Sequence, residues 1–125
     1  MKYGTLLLLV LSYSCGGGSP EKKNQVKSHA TGNDLFQKYI CFTCHSLNGS
    51  DMYGPTLRGL YMKEVVVISE GLEKHVIADR KYLKRSILDP EFEKVKEYHT
   101  RSMPKPEISK KEVDILVDYI IRLEK

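Results

Sequence analysis

The clearest regular pattern of apolar residues lies near the C-terminus. Ser109-Lys110-Lys111-Glu112 forms a capping box, in which the serine and glutamate side chains satisfy free backbone N–H groups at a helix start. The apolar residues after it repeat every three or four positions, as one face of an α-helix requires. We therefore predict a helix that ends near Leu123. Its buried stripe consists of Val113, Leu116, Val117, Ile120 and Leu123.

Two shorter stretches also follow a helical pattern. Asn33 or Asp34 can cap a first helix that runs towards Cys41. Its apolar side consists of Leu35, Phe36, Tyr39 and Ile40. A second helix is predicted over 80–88, because Asp89-Pro90 stops the pattern.

The remaining segments predict loops and one short hairpin. Residues 46–63 are rich in Gly, Pro and Asn, and 91–107 show no regular pattern. Glu70-Gly71 separates two apolar runs, which allows a short hairpin over 65–77. The predicted fold class is all-α, with three to five helices and long loops in a domain over 32–125. Loops this long in so small a domain need a further organising centre.

The N-terminus predicts export and a lipid anchor. Lys2 and the apolar stretch 4–11 are typical of a signal segment. The stretch is too short for a transmembrane helix, which needs about 20 apolar residues to span a bilayer. Ser12-Tyr13-Ser14 precedes Cys15, so we expect a signal peptide over 1–14. A cysteine at the cut site resembles a bacterial lipoprotein signal, which implies a lipid on Cys15; the alternative is ordinary secretion with a free cysteine.

A flexible tether is predicted between this signal and the domain. Residues 16–29 are polar and rich in Gly, Ser and Lys, so the expected lipidated N-terminus and linker extend over 15–31. Most of the net charge of +4 lies in the signal and the tether together, since residues 30–125 carry 16 basic and 15 acidic residues. The balance gives no basic face of the kind that binds nucleic acid.

The chemistry is concentrated in Cys41-Phe42-Thr43-Cys44-His45. This CxxCH pattern is a haem-attachment motif. Two thiols three positions apart on a helical turn can bond to the two vinyl groups of one porphyrin, and His45 is then held under the iron. Three alternatives are weaker. A dithiol redox site needs a thioredoxin-like βαβ pattern, a zinc site needs a second ligand pair, and a structural disulfide leaves His45 unexplained.

A second axial ligand must come from elsewhere in the chain. Met103 is the expected ligand, because it lies in an irregular segment just before the last helix, and Met/His ligation raises the reduction potential. His99 is the second choice and would lower the potential. The other candidates are Met52, Met62, His29 and His75.

In these features the domain resembles class I cytochromes c. It is most similar to the cytochrome c domain fused to subunit II of some bacterial haem-copper oxidases. The resemblance implies that the Pro55 carbonyl accepts from the His45 ring N–H. It also implies that Gly32 and Phe36 let the first helix cross the last closely. The matching segments are Gly32-x-x-Leu35-Phe36, the CxxCH motif, Gly54–Leu60, Ala78–Leu83, Ser86–Pro90, Met103-Pro104 and Glu112–Ile120.

The expected function is electron transfer by a monomeric protein with one covalently bound haem c. No constellation of acid, base or nucleophile indicates an enzyme. The expected partners are a redox protein as donor and another as acceptor, and the resemblance implies a respiratory oxidase. We expect the protein on the periplasmic side of a bacterial membrane. The alternatives are a haem-based sensor or small-ligand binder with a displaceable Met103, and a dithiol oxidoreductase that uses Cys41 and Cys44.

Overall fold

The computed structural model describes residues 30–123. The predicted signal peptide over 1–14, the lipid on Cys15 and all but the last two residues of the tether lie outside the described residues. The α-helices are α1 (Gly32–Lys38), α2 (Arg80–Leu88) and α3 (Lys110–Arg122). The strands are β1 (Glu64–Ser69), β2 (Leu72–Ile77) and β3 (Lys94–Val95). Two 3-10 turns lie at Cys41–Thr43 and Lys96–Tyr98.

Helices α1 and α3 both begin with a capping box. The predicted box at Ser109 and Glu112 is confirmed. The cap predicted at Asn33 or Asp34 is wrong, because Thr31 caps α1. The Thr31 N–H donates to Asp34 Oδ2 at 2.8 Å, and the Asp34 N–H donates back to Thr31 Oγ1 at 3.2 Å. Asp34 is therefore the third residue of the helix rather than its cap.

Helices α1 and α3 cross at very close range. A Cβ at Gly32 would lie 2.1 Å from the Tyr119 Cβ, so no larger residue fits there without a shift. The Phe36 and Tyr119 rings pack at 6.2 Å between centroids, and Lys38 Nζ lies 2.7 Å from Glu112 Oε1. The close crossing that the resemblance implies is therefore present.

The predicted bounds of α2 are confirmed. Asp79 caps the helix, since its Oδ1 accepts from the Tyr82 N–H at 2.8 Å. Two ion pairs, Arg80–Asp118 and Lys84–Asp114, connect α2 to α3 on the surface. Among the helices of residues 30–123, none has the length and apolar character needed to cross a bilayer.

A three-stranded antiparallel sheet overturns the all-α fold class. The hairpin predicted over 65–77 is confirmed, with β1 and β2 paired from Glu64 opposite Ile77 to Ser69 opposite Leu72. The correction lies in β3, which joins the other edge of β1 and gives the order β2-β1-β3. This strand falls in 91–107, which was predicted to be irregular. Two residues carry no periodic pattern, and the strand exists only because it pairs with a distant one.

One apolar core joins the sheet to the helices. Alternate residues of β1 face it, as a half-buried strand requires. The predicted stripe of α3 is buried except at its last residue, which is half-buried. The buried core consists of Leu35, Phe36, Leu57, Leu60, Val65, Val67, Ala78, Leu83, Ile87, Val113, Leu116, Val117 and Ile120.

Candidate functional site

Residues from all three helices line one apolar cavity of about 350 Å³. Phe36 of α1, Leu83 and Ile87 of α2, and Leu116 and Ile120 of α3 contribute to its lining. Close-packed protein interiors contain few voids larger than a water molecule, and cavities of this size are typical of ligand sites. An apolar space of this size beside the CxxCH motif suits a large apolar group with one edge at the surface.

The CxxCH motif forms one side of this cavity because the chain turns sharply where α1 ends. Ile40 adopts a left-handed conformation with φ of 49°, which is rare for a β-branched residue. The chain then makes a 3-10 turn, in which the N–H groups of Cys44 and His45 both donate to the Cys41 carbonyl, at 3.1 and 2.9 Å. This turn brings Cys41, Cys44 and His45 to the cavity. No disulfide joins these two cysteines of the described chain.

The His45 ring is held in one tautomer. Its Nδ1 lies 2.8 Å from the Pro55 carbonyl oxygen. A carbonyl can only accept, so Nδ1 carries the proton and Nε2 keeps its lone pair. Burial lowers the pKa of His45 below its ordinary value, although the Pro55 hydrogen bond acts in the opposite direction. A neutral imidazole with a free Nε2 is the form that binds a metal.

Gly54 is a site residue whose role the sequence reasoning did not identify. A Cβ at Gly54 would lie 2.6 Å from Cε1 and 3.0 Å from Nδ1 of His45, so the ring packs directly on the glycine backbone. The Gly54 N–H also donates to the Cys44 carbonyl at 2.8 Å. Gly54 begins the segment Gly54–Leu60, which is part of the resemblance, but neither that segment nor the Gly-Pro dipeptide shows which ring the glycine contacts.

Met103 lines the same cavity and is half-buried. Of the five candidate ligands within residues 30–123, Met103 alone lines the cavity. His99 is exposed, and its Nδ1 donates to the Lys96 carbonyl at 2.6 Å. His29 lies outside the described residues. The three other candidates, which are exposed, are Met52, Met62 and His75.

Arg101 is a second residue that the sequence did not indicate. Its Nη1 donates to the carbonyls of Met52 at 3.0 Å and Tyr53 at 2.7 Å. Its guanidinium also lies over the Tyr53 and Tyr98 rings, at 5.4 and 5.1 Å from their centroids. A lone arginine two residues before Met103 carries no motif, so only the structure reveals these contacts.

The residues at the cavity fit a haem. The cavity is lined by all five residues that the sequence predicts to bind haem: Cys41, Cys44, His45, Pro55 and Met103. They combine two thiols, an oriented imidazole and a thioether with an apolar interior. Within residues 30–123, no cluster of three or more His, Cys, Asp or Glu side chains could hold a metal ion alone.

Comparison with known proteins gives the same result. A search of curated proteins finds no match. The family model described as Cytochrome c matches residues 29–124, which is more than half of the chain. This range contains the CxxCH motif, all three helices and every residue that lines the cavity. The chain belongs to the cytochrome c family.

Proposed function

We propose that this cytochrome c is a lipid-anchored electron carrier whose haem iron is bound by His45 and Met103. Members of the family bind haem c covalently and carry electrons; they are not enzymes. The observation that carries the proposal is that one apolar cavity collects the CxxCH motif and a single methionine. The ligand assignment, the anchor and the partner are the proposed parts.

The chain's own residues supply attachment and axial ligation. Cys41 and Cys44 hold the cofactor through thioether bonds, and His45 offers Nε2 to the iron. Pro55 fixes the orientation of the imidazole and raises its basicity through the Nδ1–H hydrogen bond. When bound, haem supplies one-electron exchange between the ferrous and ferric states. A Met103 thioether on the iron favours the reduced state and raises the reduction potential.

The proposed site of electron exit is the rim of the cavity beside the motif. Ile40 and Tyr53 both line the cavity, yet they are 64% and 51% exposed. A redox partner that covers this rim approaches the cofactor edge without opening the fold. The acceptor we propose is a respiratory oxidase, on the basis of the resemblance to the cytochrome c domain of oxidase subunit II.

Spectroscopy and mass analysis of the purified protein test the ligation. We expect one haem mass on the polypeptide and the methionine–iron charge-transfer band in the oxidised protein. Met103→Ala should abolish this band, whereas Met62→Ala should keep it, because Met62 is 59% exposed and does not line the cavity. Loss of the band in Met62→Ala, or its survival in Met103→Ala, contradicts the assignment.

Cell fractionation tests the anchor. Cells that express the full chain are labelled with a radioactive fatty acid and separated into membrane and soluble fractions. We expect the labelled haem protein in the membrane fraction, and we expect Cys15→Ser to remove the label. A labelled Cys15→Ser protein, or an unlabelled soluble wild type, contradicts the lipid anchor while leaving the electron-carrier function intact.

One observation favours the second candidate, a haem sensor or small-ligand binder. Within the described chain, residues 102–108 make no backbone–backbone hydrogen bond, so Met103 lies in a weakly held segment. Titration of the reduced protein with carbon monoxide separates the two functions. Slow, incomplete binding at neutral pH supports the carrier, and rapid, complete binding supports the sensor.

A further inference from the structure

The Met103 segment, residues 102–108, depends on side chains for its position. None of its described residues donates or accepts a backbone–backbone hydrogen bond, and Pro104 and Pro106 have no N–H to donate. Ser102 Oγ makes one long contact, 3.4 Å, to Glu91. A segment held this weakly opens readily unless a neighbouring residue fixes it.

Arg101 is the residue that connects this segment to the other side of the cavity. Its guanidinium donates to the carbonyls of Met52 and Tyr53. These two residues directly precede Gly54 and Pro55, which pack on and hydrogen-bond to the His45 ring. We call this set of contacts the Arg101 bridge; it joins the residue pair before Gly54 to the chain two residues before Met103.

The backbone of Arg101 is also held, which makes the bridge stiff. The Arg101 N–H donates to the Tyr98 carbonyl at 2.9 Å, and Lys94 Nζ donates to the Arg101 carbonyl at 3.1 Å. Lys94 is itself paired with Glu91 at 2.6 Å. Both carbonyls of the bridge accept from the same Arg101 nitrogen, Nη1, while the guanidinium lies over the two tyrosine rings. A lysine ammonium could also donate to two carbonyls, but it lacks the planar face that stacks on an aromatic ring.

We propose that Arg101 is a positioning residue that holds the Met103 segment closed, so that Met103 stays on the iron. The inference rests on the proposed function, since it takes Met103 as the axial ligand. Charged hydrogen bonds to two carbonyls carry enough free energy to change an opening equilibrium by about tenfold or more. The Arg101 bridge therefore determines whether the protein is a closed carrier or a binder of small ligands.

The test compares Arg101→Gln with Arg58→Gln in the purified holoprotein. Arg58 is a matched control, because it is exposed and donates at 3.5 Å to the Asn48 carbonyl, and neither Arg58 nor Asn48 lines the cavity. Carbon monoxide binding to the reduced protein is followed by stopped flow, together with the methionine–iron band of the oxidised protein. In Arg101→Gln we expect carbon monoxide to bind about tenfold faster or more, with a weaker band. Arg58→Gln should match the wild type in both measurements.

A purely structural role for Arg101 gives a different result. If the variant melts at a lower temperature but keeps wild-type carbon monoxide kinetics and the full band well below that temperature, the proposal is overturned. Arg101→Lys keeps the charge and is used if Arg101→Gln does not acquire haem. Carbon monoxide binding at a rate between those of the wild type and an open segment supports the bridge. Binding of Arg101→Lys at the wild-type rate contradicts it. Failure of the proposed ligation is recognised separately, because the wild type itself would then lack the band.

Discussion

The two sides of the haem cavity are built in different ways. The His45 wall, residues 41–55, is held by short hydrogen bonds between neighbours in the chain, including those from Cys44 and His45 to Cys41. The Met103 wall, residues 98–106, is held mainly by side chains that reach other segments, above all by the Arg101 bridge.

The Met103 wall is therefore the side of the cavity that opens more easily. Backbone hydrogen bonds within the His45 wall resist opening, and the proposed thioether bonds of Cys41 and Cys44 would fix the haem there. The Met103 wall has two prolines, and beyond Arg101 its residues 102–106 make no backbone–backbone hydrogen bond, so local opening costs less free energy there. We therefore expect changes in the His45 wall to alter whether the haem is held, and changes in the Met103 wall to alter how its second axial position behaves.

The largest effect is expected from the double substitution Cys41→Ser and Cys44→Ser. Without thiols the haem cannot be attached covalently, and the cavity of about 350 Å³ loses the group that fills it. We expect no haem colour on the polypeptide in a denaturing gel. Cys15→Ser, which leaves the motif intact, should keep the colour. Haem colour on the double variant would contradict thioether attachment, and a colourless wild type would favour the dithiol alternative.

A smaller but specific effect is expected from Gly54→Ala. The new Cβ would lie 2.6 Å from His45 Cε1, so the ring must move or the backbone must shift. Overpacking of this kind lowers the free energy of unfolding by about 1–3 kcal/mol, which chemical denaturation of the holoprotein measures. The haem absorbance should change as well, because the His45 ring is the proposed ligand of the iron.

Gly71→Ala is the control for the Gly54 substitution. Gly71 has φ of 78° and nothing within 4 Å of a new Cβ. Gly71→Ala therefore introduces backbone strain of about 1–2 kcal/mol without a steric clash. Its spectrum should stay that of the wild type. If Gly54→Ala and Gly71→Ala give the same unchanged spectrum, the packing of His45 on Gly54 does not position the ligand.

Pro104→Ala and Pro55→Ala place the same kind of substitution in each of the two walls. Each change raises the conformational entropy of the unfolded chain and so lowers the free energy of unfolding by about 0.4–1 kcal/mol. Pro104 also restricts the backbone of Met103, the residue before it. We expect faster carbon monoxide binding in Pro104→Ala only, since Pro55→Ala keeps the carbonyl that accepts from His45. Equal rates in both variants would show that the two walls are equally rigid.

The smallest effect concerns the contact between α1 and α3 behind the His45 wall. Lys38, followed by Ser109, lowers the pKa of Glu112 from 4.5 to about 2. A carboxyl with a lower pKa in the folded state stabilises the protein above pH 4.5, and this contribution is lost as the pH falls towards about 2. We expect the free energy of unfolding, measured by chemical denaturation between pH 4.5 and about 2, to fall less in Glu112→Gln than in the wild type. If the free energies of the two proteins fall in parallel with pH, the pairing of Glu112 with Lys38 is contradicted.

Much of the fold follows from patterns three or four residues long. The capping box at Ser109, the end of α2 before Asp89-Pro90 and the hairpin turn at Glu70-Gly71 are local features, so short sequence patterns predict them. The cap of α1, wrongly predicted at Asn33 or Asp34, is also a local feature. Thr31 and Asp34 form a capping box like that of Ser109 and Glu112.

The part that the sequence could not determine consists of contacts between distant segments. Strand β3 has two residues and is a strand only because β1 pairs with it. Residues around Gly54 and His45 are close in the chain, yet their distance of approach depends on the fold of the intervening loop.

The haem-attachment motif is readable without any structure, because haem attachment needs two thiols and a histidine at a fixed local spacing. Met103 is also expected as a ligand from its place in the chain, and the structure puts that residue at the same cavity. The contact that connects the Met103 side to the other wall appears only in the folded protein, where Arg101 donates to a tyrosine carbonyl 48 positions away. A bond between side chain and backbone across that separation leaves no periodic pattern, since it depends on geometry that the whole fold creates.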